Sequence, residues 1–213
     1  MLIGYALSDS ASFLIDSKQF AKVLACWLRE LHHLPVTSVH IQSVKGEYEW
    51  KVNVLHRLTG AKDNLAKYEK YYQDAGLNYE ILLQTIQYME SWRFQPSKRC
   101  FVHGDLYARH IIVNNQLMPI GIIDWGDIHI GHPGIDLAVG MIFTPKVFQE
   151  FLASYGAIDE ETYRILLFHS FCHSMSFLPY AFEQNKENLM GWATIVLKRT
   201  VNEINTHFGV KGV

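Results

Sequence analysis

The sequence has little that would mark a stapled, secreted or nucleic-acid-binding protein. Only three cysteines, Cys26, Cys100 and Cys172, stand in 213 residues. They are odd in number, far apart and form no CxxC pair, so no disulfide framework is legible and a reducing, cytoplasmic setting is expected. An excess of one charge is also lacking. Lysine plus arginine number 19 and aspartate plus glutamate 21, a formal net charge of -2 with both signs interspersed. That excludes the basic footprint of a nucleic-acid binder. A weakly acidic surface is compatible with cationic substrates without demanding them. The apolar start, Met1 to Asp9, has no basic n-region and is too short to span a bilayer, so neither a signal peptide nor a membrane helix is expected. Repeats and low-complexity segments are absent. Before residue 100 there is no glycine-rich loop and no β-like run carrying a well-placed lysine.

What is present is apolar. Hydrophobic residues make up 49% of the chain, enough to bury a substantial core and to suggest a single domain over 1–213. Residues 17–33 carry a helical stripe of Phe20, Val23, Leu24, Trp27, Leu28 and Leu31, with Asp16 or Ser17 as cap and Pro35 as stop. Residues 47–92 read as two or three amphipathic helices broken near Thr59-Gly60 and Ala75-Gly76. Their tyrosines, Tyr68, Tyr71, Tyr72, Tyr79 and Tyr88, read as core packing. The texture changes at Pro96. Cys100-Phe101-Val102, Ile111-Ile112-Val113 and Pro119 to Ile123 are short β-like runs around loops rich in His, Asp and Gly. Beyond Pro133, helices are expected near Asp136, near Pro145, and over about 160–182 and 185–207. The fold class is mainly α with a small β-hairpin region, α+β: helical over 10–95, polar loops over 100–142, C-terminal helices over 145–207.

Chemistry concentrates in the polar loops. His103-Gly104-Asp105 follows one strand, His110 precedes the next, and Asp124 in Asp124-Trp125-Gly126-Asp127 ends the third. A hairpin of the last two strands brings His110 and Asp124 to one end, two acceptors for a cation, with Asp105 at the mouth. Phosphoryl transfer needs this division: one carboxylate orients the attacking hydroxyl and takes its proton, while other ligands hold divalent ions on the phosphates. An exposed Asp, with a pKa of roughly 4, is ionised and ready to accept at neutral pH.

His-Gly-Asp-Leu, a ligand four residues later, and Asp-Trp-Gly-Asp together resemble the catalytic and metal-binding loops of the aminoglycoside/macrolide phosphotransferase family. These enzymes are distant relatives of the protein kinases. Two motifs in order, each on a strand edge, make a specific signal over roughly 100–142. The resemblance implies a protein-kinase-like C-lobe with Asp105 as catalytic base. It makes His110 and Asp124 ligands of Mg²⁺ or Mn²⁺ and contacts of the nucleotide. Gly131 to Ala138 resembles a further family segment, which gives Asp136 the role of bracing the catalytic loop. ATP or GTP is the implied donor. A hydroxyl of an antibiotic such as a macrolide or aminoglycoside, or of a metabolite, is the implied acceptor.

The sequence departs from the family at His110, where most members have Asn and macrolide phosphotransferases carry His; imidazole suits Mn²⁺ or Zn²⁺ better than Mg²⁺. It also departs at the start. The family's β-rich N-lobe is not legible, so the chain reads as a C-lobe alone, a poor kinase by itself, whose N-lobe-facing surface is expected to be apolar and able to support a homodimer. Two alternatives follow: an impaired fragment or binding module, and a metal-dependent hydrolase with His103, Asp105, His110 and Asp124 as ligands. His103 is otherwise read as structural support. Asp127 has two readings, a second-metal ligand and a turn cap. Arg109 meets a phosphate or pairs with Asp127. His169 and His173, one helical turn apart, suit a metal pair, but with Phe168, Phe171 and Phe177 interleaved they read as a packed helix lining the acceptor pocket. His129 and His132 read as solvated. The acceptor site is expected among residues 145–207, with Asp159, Glu160, Glu161, Glu183 and Glu187 available to an aminoglycoside.

Overall fold

The computed structural model describes residues 4–10, 14–37 and 49–209. Ser17 opens the first helix by accepting from the Phe20 amide at 3.2 Å, and α1 runs Lys18–His32. Asn53 caps α2, Val54–Lys67, in the same way. This helix passes straight through Gly60, where a break was expected. Leu58, Ala61 and Leu65 anchor it on both sides of the glycine in the core, and that packing outweighs the roughly 1 kcal/mol helix penalty of glycine. The second expected break is present. After α3, Glu69–Asp74, the chain turns at Gly76 with φ +68°, and Asn78 caps α4, Tyr79–Met89.

The strands are few and short. β1, Tyr5–Ala6, pairs with β3, Ile111–Val113, which forms an antiparallel hairpin with β4, Pro119–Ile122. A separate antiparallel pair joins β2, Cys100–Val102, to β5, His129–Gly131, with Val102 opposite His129. β5 was invisible to alternation because it is three residues long and ends in glycine. Its strand character comes from its partner.

The rest is helical: α5, Gly134–Leu137; α6, Pro145–Tyr155; α7, Glu160–Glu183; and α8, Glu187–Phe208. Mainly α with small antiparallel sheets is the class that the sequence implied. α7 is long and apolar enough, by length and composition alone, to cross a membrane, but 72% of its apolar window is buried in the protein. A helix apolar all round is what the middle of a core requires. Pro179 lies inside α7. Proline has no N–H for the carbonyl four residues back, and the Met175 carbonyl instead accepts the Tyr72 hydroxyl at 2.5 Å and the Asn64 side-chain amide at 3.4 Å. On the outside, Trp27, Leu31, Ile122 and Trp125 line an apolar groove between α1 and the β3–β4 hairpin.

Candidate active site

The loop after β2 is fixed from beneath. Asp136, at the start of α5 and fully buried, accepts from the backbone amides of His103 at 2.7 Å and Gly104 at 2.9 Å. Its remaining partner is His32 of α1, whose Nε2 lies 3.2 Å away, while the Tyr155 hydroxyl meets His32 Nδ1 at 2.8 Å. Burial by itself would raise the Asp136 pKa. The His32 ring and the two amides outweigh it and hold the carboxyl below its ordinary value. Gly104 has φ +84°, and a Cβ there would stand 2.7 Å from the Asp127 carbonyl oxygen. Only glycine fits that turn.

His103 is a strut. Its Nε2 donates to the Ile123 carbonyl at 2.9 Å and its Nδ1 accepts from the Asp105 amide at 3.3 Å, so both nitrogens are committed to backbone. The ring also packs against Trp125, centroid to centroid 4.8 Å. The loop bearing Asp105 and the loop bearing Asp124 are thereby joined by one side chain. The same commitment removes His103 from the ligand set that a metallohydrolase would need.

Asp105 is half-buried. Its Oδ1 lies 3.4 Å from His173 Nε2 and its Oδ2 lies 3.9 Å from His110 Nδ1. Burial would raise its pKa, but His173, His110 and Lys51 more than cancel that and keep it ionised. His110 is buried, donates from Nδ1 to the Asp105 carbonyl at 2.7 Å, and presents Nε2 to Asp124 Oδ2 at 3.3 Å. Asp124 adopts the left-handed conformation, φ 64° and ψ 58°, and points an exposed carboxylate at that ring. Asp127, three residues on, lines a cleft together with Asp105.

The structure adds residues that the sequence did not reveal. Lys51, in a 3₁₀ turn over Glu49–Val52, is 5% exposed, and its Nζ donates to the Gly104 carbonyl at 2.5 Å. Burial lowers its pKa while Asp127 and Asp105 push it back up. No periodicity signals it, because its partner is 53 positions away. His173 reaches Asp105 besides lining the pocket, and its ring stacks on His169 at 6.0 Å and on Phe177 at 5.0 Å. A ring stack is not a convergent metal pair.

Two expectations are overturned. His129 and His132 are not solvated: they are 0% and 3% exposed. His129 is drawn under Gly104 by strand pairing and bonds the Asp127 carbonyl at 2.8 Å. His132 accepts from the Gly134 amide at 3.2 Å. The five carboxylates offered to an aminoglycoside also do not gather at Asp105. Asp159 pairs with Lys98 at 2.8 Å, Glu160 with Arg164 at 2.5 Å, Glu161 accepts from the Gln95 amide, and Glu183 accepts from Tyr68. Glu160 and His173 are separated by about 20 Å along α7 at 1.5 Å per residue. Glu187 lines a separate surface pocket with Arg109. Arg109 meets Tyr180.

Two spaces adjoin the loop. One, of about 50 Å³, lies among Leu106, Tyr107, Phe177 and Trp192. The other, about 600 Å³, opens on Asp105 and Asp127 and is walled by Trp50, Lys51, Arg57 and His173. The second has the size of a ligand site. It takes only one wall from residues 145–207, the other coming from residues 50–63.

The sequence pattern of the phosphotransferase enzyme family, APH, matches residues 16–169. The chain belongs to this family. No curated protein matches it by sequence. Among solved structures, this phosphotransferase-family chain resembles macrolide 2'-phosphotransferase type I at 19% identity, covering 92% of this chain and 67% of that one, with a TM-score of 0.54. It resembles APH(2")-IIia, solved with GDP and kanamycin, at 18% identity over 95% and 69% of the two chains, TM-score 0.62. A third likeness is to spectinomycin phosphotransferase APH(9)-Ia, solved with ADP and spectinomycin, at 16% identity over 99% and 70%, TM-score 0.57. At such identities these likenesses establish the fold. The chain spans about two thirds of the length of each.

Proposed function

We propose that this phosphotransferase moves the terminal phosphoryl group of ATP or GTP to a hydroxyl of a small molecule held in the cleft beside Asp105. The observation that carries the reading is the Asp105–His110–Asp124 cluster. Asp105 is ionised, half-buried and oriented by His173, so it can hold an acceptor hydroxyl and take its proton. In the transfer the acceptor oxygen bonds to phosphorus, the bond from phosphorus to the bridging oxygen breaks, and the diphosphate leaves with that electron pair.

The donor set fits a divalent ion. With Nδ1–H committed to the Asp105 carbonyl, His110 turns Nε2 toward a carboxylate 3.3 Å away. An imidazole nitrogen and a carboxylate oxygen face each other there, a donor pair that a divalent cation can take. His110 and Asp124 would hold it, with Asp127 as the candidate for a second. A mixed nitrogen and oxygen set favours Mn²⁺ over Mg²⁺. Bound there, the ion supplies positive charge to the phosphate oxygens.

Among the described residues, the α7 carboxylates that an aminoglycoside would call on, Glu160, Glu161 and Glu183, are paired away from Asp105. The test joins two measurements. Metal with ATP or GTP is expected to raise the melting temperature, because binding to the native state stabilises it. Asp105→Asn is expected to keep that shift while abolishing phosphoryl transfer. Near-wild-type turnover in Asp105→Asn removes Asp105 from the role of base.

A further inference from the structure

The cleft at Asp105 is unevenly charged. Among the described residues, its carboxylates, apart from Asp105 and Asp127 at the transfer end, reduce to Asp63 on the exposed rim. The wall opposite α7 carries cations. Lys51 is buried against the Gly104 carbonyl, which sets its ammonium one residue along the backbone from Asp105. Arg57 is half-buried, and its guanidinium and the Lys51 ammonium each lie 5.5 Å from the centre of the Trp50 ring. The α7 wall adds an independent observation. His169 is 6% exposed, lines the cleft, and its Nδ1 has no hydrogen-bond partner among the described residues. A buried polar atom left unpaired destabilises the fold. A ligand group that meets it recovers that loss.

We propose that the acceptor carries an oxyanion group, a carboxylate or a phosphate ester, close to the hydroxyl that receives phosphate. Lys51 and Arg57 bind the oxyanion, and His169 bonds a neighbouring polar group. The inference rests on the phosphotransfer reading of Asp105 and names the substrate class for that site. Guanidinium matches a planar or tetrahedral oxyanion with paired donors. A cationic acceptor in the same place would set like charges together where water is partly excluded. The adjacency of Lys51 to the Asp105 loop further implies that hydroxyl and oxyanion lie only a few bonds apart.

Four compounds that share one diol separate the outcomes: glycerol, glycerate, glycerol phosphate and 3-aminopropane-1,2-diol. Each is titrated against the full chain with melting temperature as readout, beside a parallel titration with magnesium–ATP. At least one anion is expected to bind tenfold or more tighter than glycerol and the amine, and the stronger of the two tells carboxylate from phosphate. Lys51→Gln and Arg57→Gln are each expected to lower that anion affinity tenfold or more, with magnesium–ATP affinity changed less than threefold. Should Lys51→Gln fail to fold, Arg57→Gln and the charge-retaining Lys51→Arg, expected to keep anion binding, decide the matter. Equal binding of all four compounds, or preference for the amine, overturns the inference. So does a loss of magnesium–ATP affinity in the variants with anion affinity unchanged, which would assign the cations to the donor phosphates. If magnesium–ATP stabilises the wild-type chain while neither anion does, the substrate class alone falls. If neither nucleotide nor anion binds, the phosphotransfer reading falls with it.

Discussion

His110 does two jobs with one imidazole. Its Nδ1 pins the backbone of the Asp105 loop, and its Nε2 faces Asp124. Asparagine, the commoner family residue, can offer an oxygen at the second place and an amide donor at the first, so the exchange is mild. Asp124 is different: its charge has no substitute on the hairpin. Asp124→Ala is therefore expected to weaken metal–nucleotide affinity more than His110→Asn, by tenfold or more, in metal titrations of both variants. A larger loss at His110 would make the imidazole the principal ligand. The residues of this cluster were legible because each stands at a strand end beside a glycine or a turn. Lys51 and His32 were not. Each acts on a group more than fifty positions away, Gly104 and Asp136, and no local pattern encodes such a meeting. His129 and His132 misled for the opposite reason. Polar residues near a loop read as solvated, but strand pairing and the Gly134 turn drew both inside.

The start of α1 was readable from its cap, Ser17, and Asn78 and Asp159 open two further helices in the same way, unread in the sequence. The interior of α7 was harder to read. Its Pro179 leaves a gap in the hydrogen-bond ladder that is closed only from another element, by Tyr72 of α3. Tyr72→Phe leaves the Met175 carbonyl with the long Asn64 contact alone, a loss of about 1–3 kcal/mol expected as a lowered urea midpoint at unchanged slope. Pro179→Ala supplies a helical N–H to the same carbonyl. In that background Tyr72→Phe should cost clearly less, and a double-mutant cycle measures the coupling. Additive effects would show that the tyrosine acts through packing alone.

Across the whole molecule, buried neutral histidines set the response to acid. Burial lowers the pKa of His129 and His169, and pushes His132 down to about 4. For His132 the folded value lies below the unfolded one near 6.5, so the unfolded chain binds more protons between the two. The stabilisation is complete above about pH 6.5 and is lost as pH falls toward 4, roughly 3 kcal/mol from this residue. Denaturant midpoints measured from pH 7 to 4 should fall accordingly. His132→Asn, which keeps an acceptor for the Gly134 amide but cannot be charged, should flatten the decline. An unchanged pH slope in that variant would remove His132 as its source. The tryptophans have a consequence of another kind. Trp125 directly follows Asp124 and is 39% exposed, and Trp50, on the cleft wall, is 46% exposed, whereas Trp92 and Trp192 are buried. Trp50 thus lies on the cleft beside Asp105, and Trp125 on the groove between α1 and the β3–β4 hairpin. Intrinsic fluorescence is therefore expected to report, without a label, a ligand arriving in the cleft beside Trp50, once Trp50→Phe has identified that part of the signal and Trp125→Phe has left it in place.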